Sequence, residues 1–306
     1  MADETAAGET RQGPSTGRTP RGWSGATPSM SPSPRASQPG STMLIMDVCG
    51  AYMRPLGGWF SIATFVALMA KLGVDERATR SALLRMKRRE LLVAETRRTQ
   101  RGYRLSERAL PLLAESEQRI FGYRTLARLA DGWVLVSFSI PEDERPNRHV
   151  LRSRLSWLGF GRLSNGLWIA PRRMLRELEK NVEELGFQRY VTIFDATFHG
   201  FGDVGTLVQR AWNIDELANM YREYVEWARP VVEQWRSVNE PEGKQAFVDY
   251  TLALFHWRKF PYLDPGLPLE LLPADWTGVE AGELFHELHE RLEGPATAYV
   301  RRVAAR

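Results

Sequence analysis

From Leu44 onward, apolar and polar positions fall into regular periods. Leu44, Ile45, Val48 and Tyr52 recur at helical spacing, and Gly57-Gly58 ends that segment. Ser61 is placed to cap a second helix running to Leu72, with Gly73 as its stop. Asp75 is placed to cap a third helix that reaches about Arg89. Leu91–Val93 and Gly102–Leu105 read as two strands of a hairpin whose polar tip is Arg98-Thr99-Gln100-Arg101. A further helix opens near Ser106 and reaches about Arg128, regular only from Pro111 because proline is costly inside a helix. The order helix, helix, helix, hairpin predicts a winged helix-turn-helix over 43–128.

The next stretch, 129–200, reads as β-α-β-β-α-β. Trp133 to Ile140 is a strand, Pro141 to Asn147 a charged loop, and His149 to Leu158 an amphipathic helix ending at Gly159. Phe160–Leu163 and Leu167–Ala170 are short strands joined by Ser164-Asn165-Gly166. Arg173 to Leu185 is a helix stopped by Gly186, and a last strand starts near Gln188 and runs through Phe194. This is the pattern of a ferredoxin-like split βαβ unit. Residues 201–306 read as helical: Asp203–Trp212, Asp215–Trp235, a helix up to about Arg258, and Glu283–Leu292. Phe260 to Pro268 is a proline-rich crossing, and Gly294-Pro295 is expected to break the last helix in two. The predicted class is therefore α+β. An N-terminal winged helix-turn-helix precedes a central ferredoxin-like domain and a C-terminal helical domain for effector binding or dimerisation. Residues 1–42 form a Pro-, Gly- and Ser-rich tail with too little apolar area to offset chain entropy, and are expected to be disordered. Met43 and Met46 stand as alternative starts at its edge.

Composition narrows the choices. A chain of 306 residues, 43% hydrophobic, has ample material for two or three cores. The single cysteine, Cys49, excludes an internal disulfide framework and any multi-cysteine metal site, which fits a reducing compartment. No apolar signal region opens the chain, and the stretch Pro55–Ala70 is short and broken by Gly57-Gly58, a poor membrane span. A cytoplasmic protein with no membrane partner is expected.

Charge is uneven along the chain. Residues 43–120 hold 14 basic and 8 acidic side chains, whereas 201–306 hold 11 and 17. A basic front half joined to an acidic last third suits a front half that meets a polyanion. The third helix carries the chemistry. At 100° per residue, Ala78, Thr79, Ala82, Leu83 and Met86 gather on one side. Arg77, Arg80, Ser81, Leu84, Lys87 and Arg88 fall on the other, with Arg85 and Arg89 nearer the buried side. Arginine reads guanine edges bidentately and neutralises phosphate. Arg77, Arg80, Ser81 and Arg88 are the candidate major-groove readers, and Arg97, Arg98 and Arg101, at the hairpin tip, the candidate contacts to the adjacent DNA backbone or minor groove.

Several runs agree in order and spacing with a known family. They are Gly73 to Met86, Gly102-Tyr103-Arg104-Leu105-Ser106, Leu158 to Leu163, Gly166 to Pro171, Phe260 to Pro268, and Glu270 to Trp276. Over about 43–303 the chain resembles the PaaX-like repressors of phenylacetate catabolism. The resemblance implies a homodimeric repressor bound to double-stranded operator DNA and released by an acyl-CoA thioester such as phenylacetyl-CoA, with no catalytic role and no cofactor. One departure stands out: members carry an aromatic residue and a glycine just before the wing, where this chain has Arg88-Arg89-Glu90-Leu91-Leu92.

Two other readings compete. The central fold also resembles a small metal-dependent nuclease, whose chemistry wants an acidic residue at the end of the first strand. Here that strand ends Val136-Ser137-Phe138-Ser139-Ile140, and Glu142 and Asp143 follow only after Pro141. The third reading is a DNA-binding protein without a small-molecule effector. His286 and His289 share helical spacing with Glu283 and Glu290, which fits a wet acidic face better than a metal site. His256-Trp257-Arg258-Lys259 fits a buried tryptophan with solvated charges. Trp157, Trp168, Trp227 and Trp257 are expected in the core, and no metal site is expected.

Overall fold

The computed structural model describes residues 40–122 and 126–306. The expected tail lies outside them except for its last three residues: Gly40 precedes a helix to which Ser41 and Thr42 already belong. Helix α1 spans Ser41–Val48 and runs on as a wider turn to Met53. A short strand β1 (Trp59–Ser61) leads into α2 (Ile62–Lys71) and α3 (Glu76–Arg88). Strands β2 (Leu92–Arg97) and β3 (Gln100–Leu105) follow, then α4 (Ala109–Gly122). The caps are those the sequence offers: Ser61 Oγ accepts from the Thr64 amide at 2.9 Å, and Asp75 Oδ1 from the Ala78 amide at 2.8 Å.

Three differences from the expected pattern are seen, the first two with physical reasons. The hairpin strands are longer than alternation suggested, and the turn is only Arg98-Thr99. Arg98 takes the left-handed conformation, φ 54°, which lets the ladder close between Arg97 and Gln100. Arg97 and Arg101 therefore belong to the strands rather than the tip. β1 adds a third strand beside β3. That close approach needs Gly102, where a Cβ would stand 2.4 Å from the Phe60 carbonyl oxygen and 2.6 Å from the Trp59 ring. Finally, Arg128 is extended rather than helical.

The central sheet has four strands: β4 (Trp133–Phe138), β5 (Gly161–Arg162), β6 (Leu167–Pro171) and β7 (Val191–Ala196). Their spatial order is β5-β6-β4-β7 with every neighbouring pair antiparallel. Helices α5 (Arg145–Trp157) and α6 (Leu175–Leu185) cover one face. There Val134, Val136 and Phe138 pack with Leu151, Leu155, Leu178 and Val182. The alternate residues Trp133 and Leu135 meet a second apolar group containing Val208, Ile214 and Leu267. The last strand begins three residues later than expected, because Gln188–Tyr190 form a tight helical turn first.

The final third comprises α7 (Val204–Ala211), α8 (Ile214–Arg236), α9 (Gly243–Trp257), the single turn α10 (Phe260–Leu263) and α11 (Gly278–Ala304). Gly294-Pro295 does not break α11. Leu292, Ala296 and Val300 on either side are fully buried, and burial of that stripe outweighs the hydrogen bond lost at proline. One apolar core runs from Leu44, Ile45, Phe65 and Leu83 to Phe247, Trp257, Leu288 and Leu292. The N-terminal helices thus share their interior with the C-terminal ones. A hydrogen-bond chain crosses that boundary. Thr251 donates to the Phe247 carbonyl at 2.6 Å, so Tyr52 is the donor to Thr251 Oγ1 at 3.0 Å. The fold is α+β.

Candidate nucleic-acid interface

Helix α3 is amphipathic with a small buried side. Thr79, Ala82, Leu83 and Met86 are buried, whereas Arg77, Arg80, Ser81, Leu84, Lys87 and Arg88 are exposed. Arg80 is held by Glu76 one turn back, with Nε and Nη2 each 2.7 Å from Oε1. Among the described residues Arg77 and Arg88 make no ion pair. Arg85, expected nearer the buried side in a structural or phosphate-facing role, is structural. It is exposed and donates to Ser81 Oγ at 2.8 Å and to Thr42 Oγ1 at 2.9 Å, tying α3 to the start of α1. Arg89 is exposed as well.

The hairpin is fixed to the C-terminal end of α3. Leu91 donates its amide to the Met86 carbonyl at 3.0 Å, and Ser106 Oγ donates to the Glu90 carbonyl at 2.6 Å. Glu90 sits in the left-handed region, φ 59°, at the junction between α3 and the hairpin. The Ser106 bond and an ion pair from Arg108 at 3.3 Å hold a conformation that glycine would adopt freely. Arg97, Arg98 and Arg101 are all exposed. They are not equivalent. Arg97 Nε meets Glu95 at 2.6 Å and its guanidinium lies 5.2 Å from the centre of the Trp59 ring. Glu95 also draws Arg104 at 3.4 Å. Arg98 and Arg101 have no such partner among the described residues. One neighbour of the hairpin was not visible in the sequence: Gln100 donates to the Arg306 carbonyl at 3.4 Å. That contact joins positions 206 apart, and no local pattern signals it.

The other candidate chemistry has moved. Glu142 and Asp143 lie in an exposed turn beyond β4, and Glu142 pairs with Arg148 at 3.1 Å. Among the described residues no group of three or more His, Cys, Asp or Glu side chains is placed to share a metal ion. His286 pairs with Glu290 at 2.6 Å. His289 is not on a wet face: its Nδ1 meets the Tyr250 hydroxyl at 2.7 Å and its ring packs 4.5 Å from Phe121. Trp257 is buried, but Arg258 is not simply solvated, since it reaches the buried Asp47 at 3.6 Å. Trp168 is buried too, whereas Trp157 is half-buried, stacked between Arg119 at 4.2 Å and Arg154 at 4.1 Å. Trp227 is also only half-buried, against His256.

Three family models match in succession. The PaaX-like protein model covers residues 41–109, the PaaX protein central Cas2-like domain 127–208, and the PaaX-like protein C-terminal domain 212–302. The chain belongs to the PaaX-like family. The transcriptional repressor PaaX of Escherichia coli strain K12 is 29% identical over 263 residues, which is 85% of this chain and 82% of that one. An uncharacterised Mycobacterium tuberculosis protein of known structure superposes with a TM-score of 0.52 at 23% identity, over 87% of this chain and all of that one. At that identity the likeness is one of fold. Among the described residues of this PaaX-like protein, no helix is long and apolar enough to cross a membrane.

Proposed function

We propose that this PaaX-like protein is a sequence-specific DNA-binding repressor of an aromatic-acid catabolic operon of the phenylacetate type. The observation that carries the reading is the exposed cationic face of α3 with a basic hairpin locked to its end. We read α1 to β3 as a winged helix-turn-helix and β2-β3 as the wing. Arg77, Arg80, Ser81 and Arg88 then reach base edges in the major groove, and Arg97, Arg98 and Arg101 hold the adjacent backbone. The central sheet, in the order β5-β6-β4-β7, suits a ferredoxin-like domain. The organisation is then 43–128, 129–200 and 201–306. The name of the Escherichia coli relative supports repression. Homodimerisation, a cytoplasmic setting and release by an acyl-CoA thioester such as phenylacetyl-CoA complete the proposal. No catalytic step is assigned. Release requires the thioester to bind the DNA-incompetent state more tightly, and DNA to weaken thioester binding by the same factor.

A gel-shift titration at fixed salt on the protein's own upstream DNA tests this, with and without phenylacetyl-CoA. Specific binding lost with the thioester, but not with free phenylacetate or coenzyme A, is the expected result. Specific binding indifferent to every acyl-CoA thioester tried would overturn the effector. Absence of any sequence preference would overturn the repressor reading.

A further inference from the structure

Helix α11 carries its acidic side chains only in its first part, with Arg291 among them. Glu280, Glu283, Glu287, Glu290 and Glu293 lie along its first part, and no acidic residue follows them. Beyond come Arg301, Arg302 and Arg306, all exposed and without an ion pair among the described residues. Buried Ala296 and Val300 fix the inward side of this end. Arg302 turns back towards the start of α9, its guanidinium beside Gly243. Arg306 goes the other way, its main-chain oxygen accepting from Gln100 Nε2 at 3.4 Å. Gln100 is the first residue after the Arg98-Thr99 turn and faces Arg97 across the ladder. The chain end after α11 therefore reaches the tip of the wing, at the Arg97–Gln100 pair that closes the Arg98-Thr99 turn.

Cations in a last helical turn are favoured by the helix dipole, worth about 0.3–1 kcal/mol at a surface. The dipole does not explain why that turn is brought against a second group of exposed arginines. Gathering like charges is unfavourable in the free protein and becomes favourable when a polyanion lies across them. We propose that the end of α11 is part of the DNA-binding surface, with Arg301 and Arg306 gripping phosphates next to those held by the wing. The partner is the backbone of double-stranded DNA, so the contact carries no sequence information. This inference rests on the DNA-binding reading of α3 and the wing.

The test is an anisotropy titration of the full chain and of Arg301→Ala/Arg306→Ala on its upstream DNA and on a scrambled duplex, over a range of salt. Both side chains are exposed, so thermal melting should be unchanged. Each lost phosphate contact should flatten the plot of log affinity against log salt by about 0.9. The expected result is a flattening of about one to two units, equal on both duplexes. Arg301→Glu should weaken binding further. A wild-type salt slope, or a loss confined to the operator, would overturn the proposal. The variant Arg77→Ala/Arg80→Ala runs beside it. If that pair weakens operator binding while the α11 pair does not, this proposal fails alone. If neither changes binding, the DNA-binding reading fails as well.

Discussion

The ion pair between Arg80 and Glu76 makes a sharp test of the reading helix. In the free protein Arg80 spends its guanidinium on Glu76, one turn back, at 2.7 Å. Both side chains are more than half exposed, at 54% and 58%. An exposed pair at this spacing is worth about 0.3–0.5 kcal/mol. If Arg80 turns to a guanine edge in the complex, the pair must open, and its strength is subtracted from operator affinity. Glu76→Gln removes that competition and should tighten operator binding by about two-fold, since 1.4 kcal/mol is tenfold. A second gain arises simply from deleting a negative charge near phosphates, and a double-mutant cycle separates the two. The four proteins are wild type, Glu76→Gln, Arg80→Ala and the double variant, each titrated by anisotropy at low and moderate salt. Arg80→Ala alone should cost about 1–3 kcal/mol. Glu76→Gln should help the wild type more than it helps Arg80→Ala. Equal gains in both backgrounds would mean that Arg80 makes no contact that the pair opposes. No gain at all would mean that the pair persists on DNA and that Arg80 is not a reader.

Three further outcomes are expected. Gly102→Ala drives a Cβ to within 2.4 Å of the Phe60 carbonyl and should cost about 1–3 kcal/mol in a denaturant melt, with loss of β1 pairing; an unchanged midpoint would refute the packing described. Arg98→Ala and Arg101→Ala should each lower the salt slope by about one unit, and Arg97→Ala by less, because Glu95 already shares its charge; equal effects would remove that distinction. Burial raises the Asp47 carboxyl from an ordinary 3.8 to about 7, against the pull of Arg258. The folded chain then keeps a proton that the unfolded chain has lost, so this group's contribution to stability falls as pH rises from about 4 to about 7 and then levels. Thermal melts of wild type and Asp47→Asn at pH 5 and pH 8 should show the variant gaining on the wild type at the higher pH. A constant difference would sink the assignment.

What was legible in the sequence was local. The α3 caps, its small apolar side and its arginine-rich outer side follow from residues within four positions of each other, and Ser61 and Asp75 act where their side chains suggested. The same holds for the alternation that sends Val134 and Val136 to one face of the sheet and Trp133 and Leu135 to the other. The misses share a cause. A two-residue turn at Arg98 depends on a left-handed backbone that arginine seldom adopts, enforced by pairing on both sides. The strand at Trp59 exists because Gly102, far along the chain, leaves room for it. The continuity of α11 through Pro295 is set by the partners of Ala296 and Val300 rather than by helix propensity. His289 reads as an exposed acidic-face residue until Tyr250 and Phe121 are seen against it.

The core shared by α1, α2, α3, α9 and α11 has a consequence for how such a protein can be cut and recombined. Leu44, Ile45, Val48 and Tyr52 have no access to water in a core built by α2 and α3 together with helices from the far end of the chain, where Tyr52 packs on Phe247 and Tyr250. A fragment ending at Gly122 would present that apolar stripe to solvent and lose the Tyr52–Thr251 bond. The front of this molecule is therefore not a detachable module. Exchanging it for the front of a relative would preserve this packing only if the facing sides of α9 and α11 were exchanged with it.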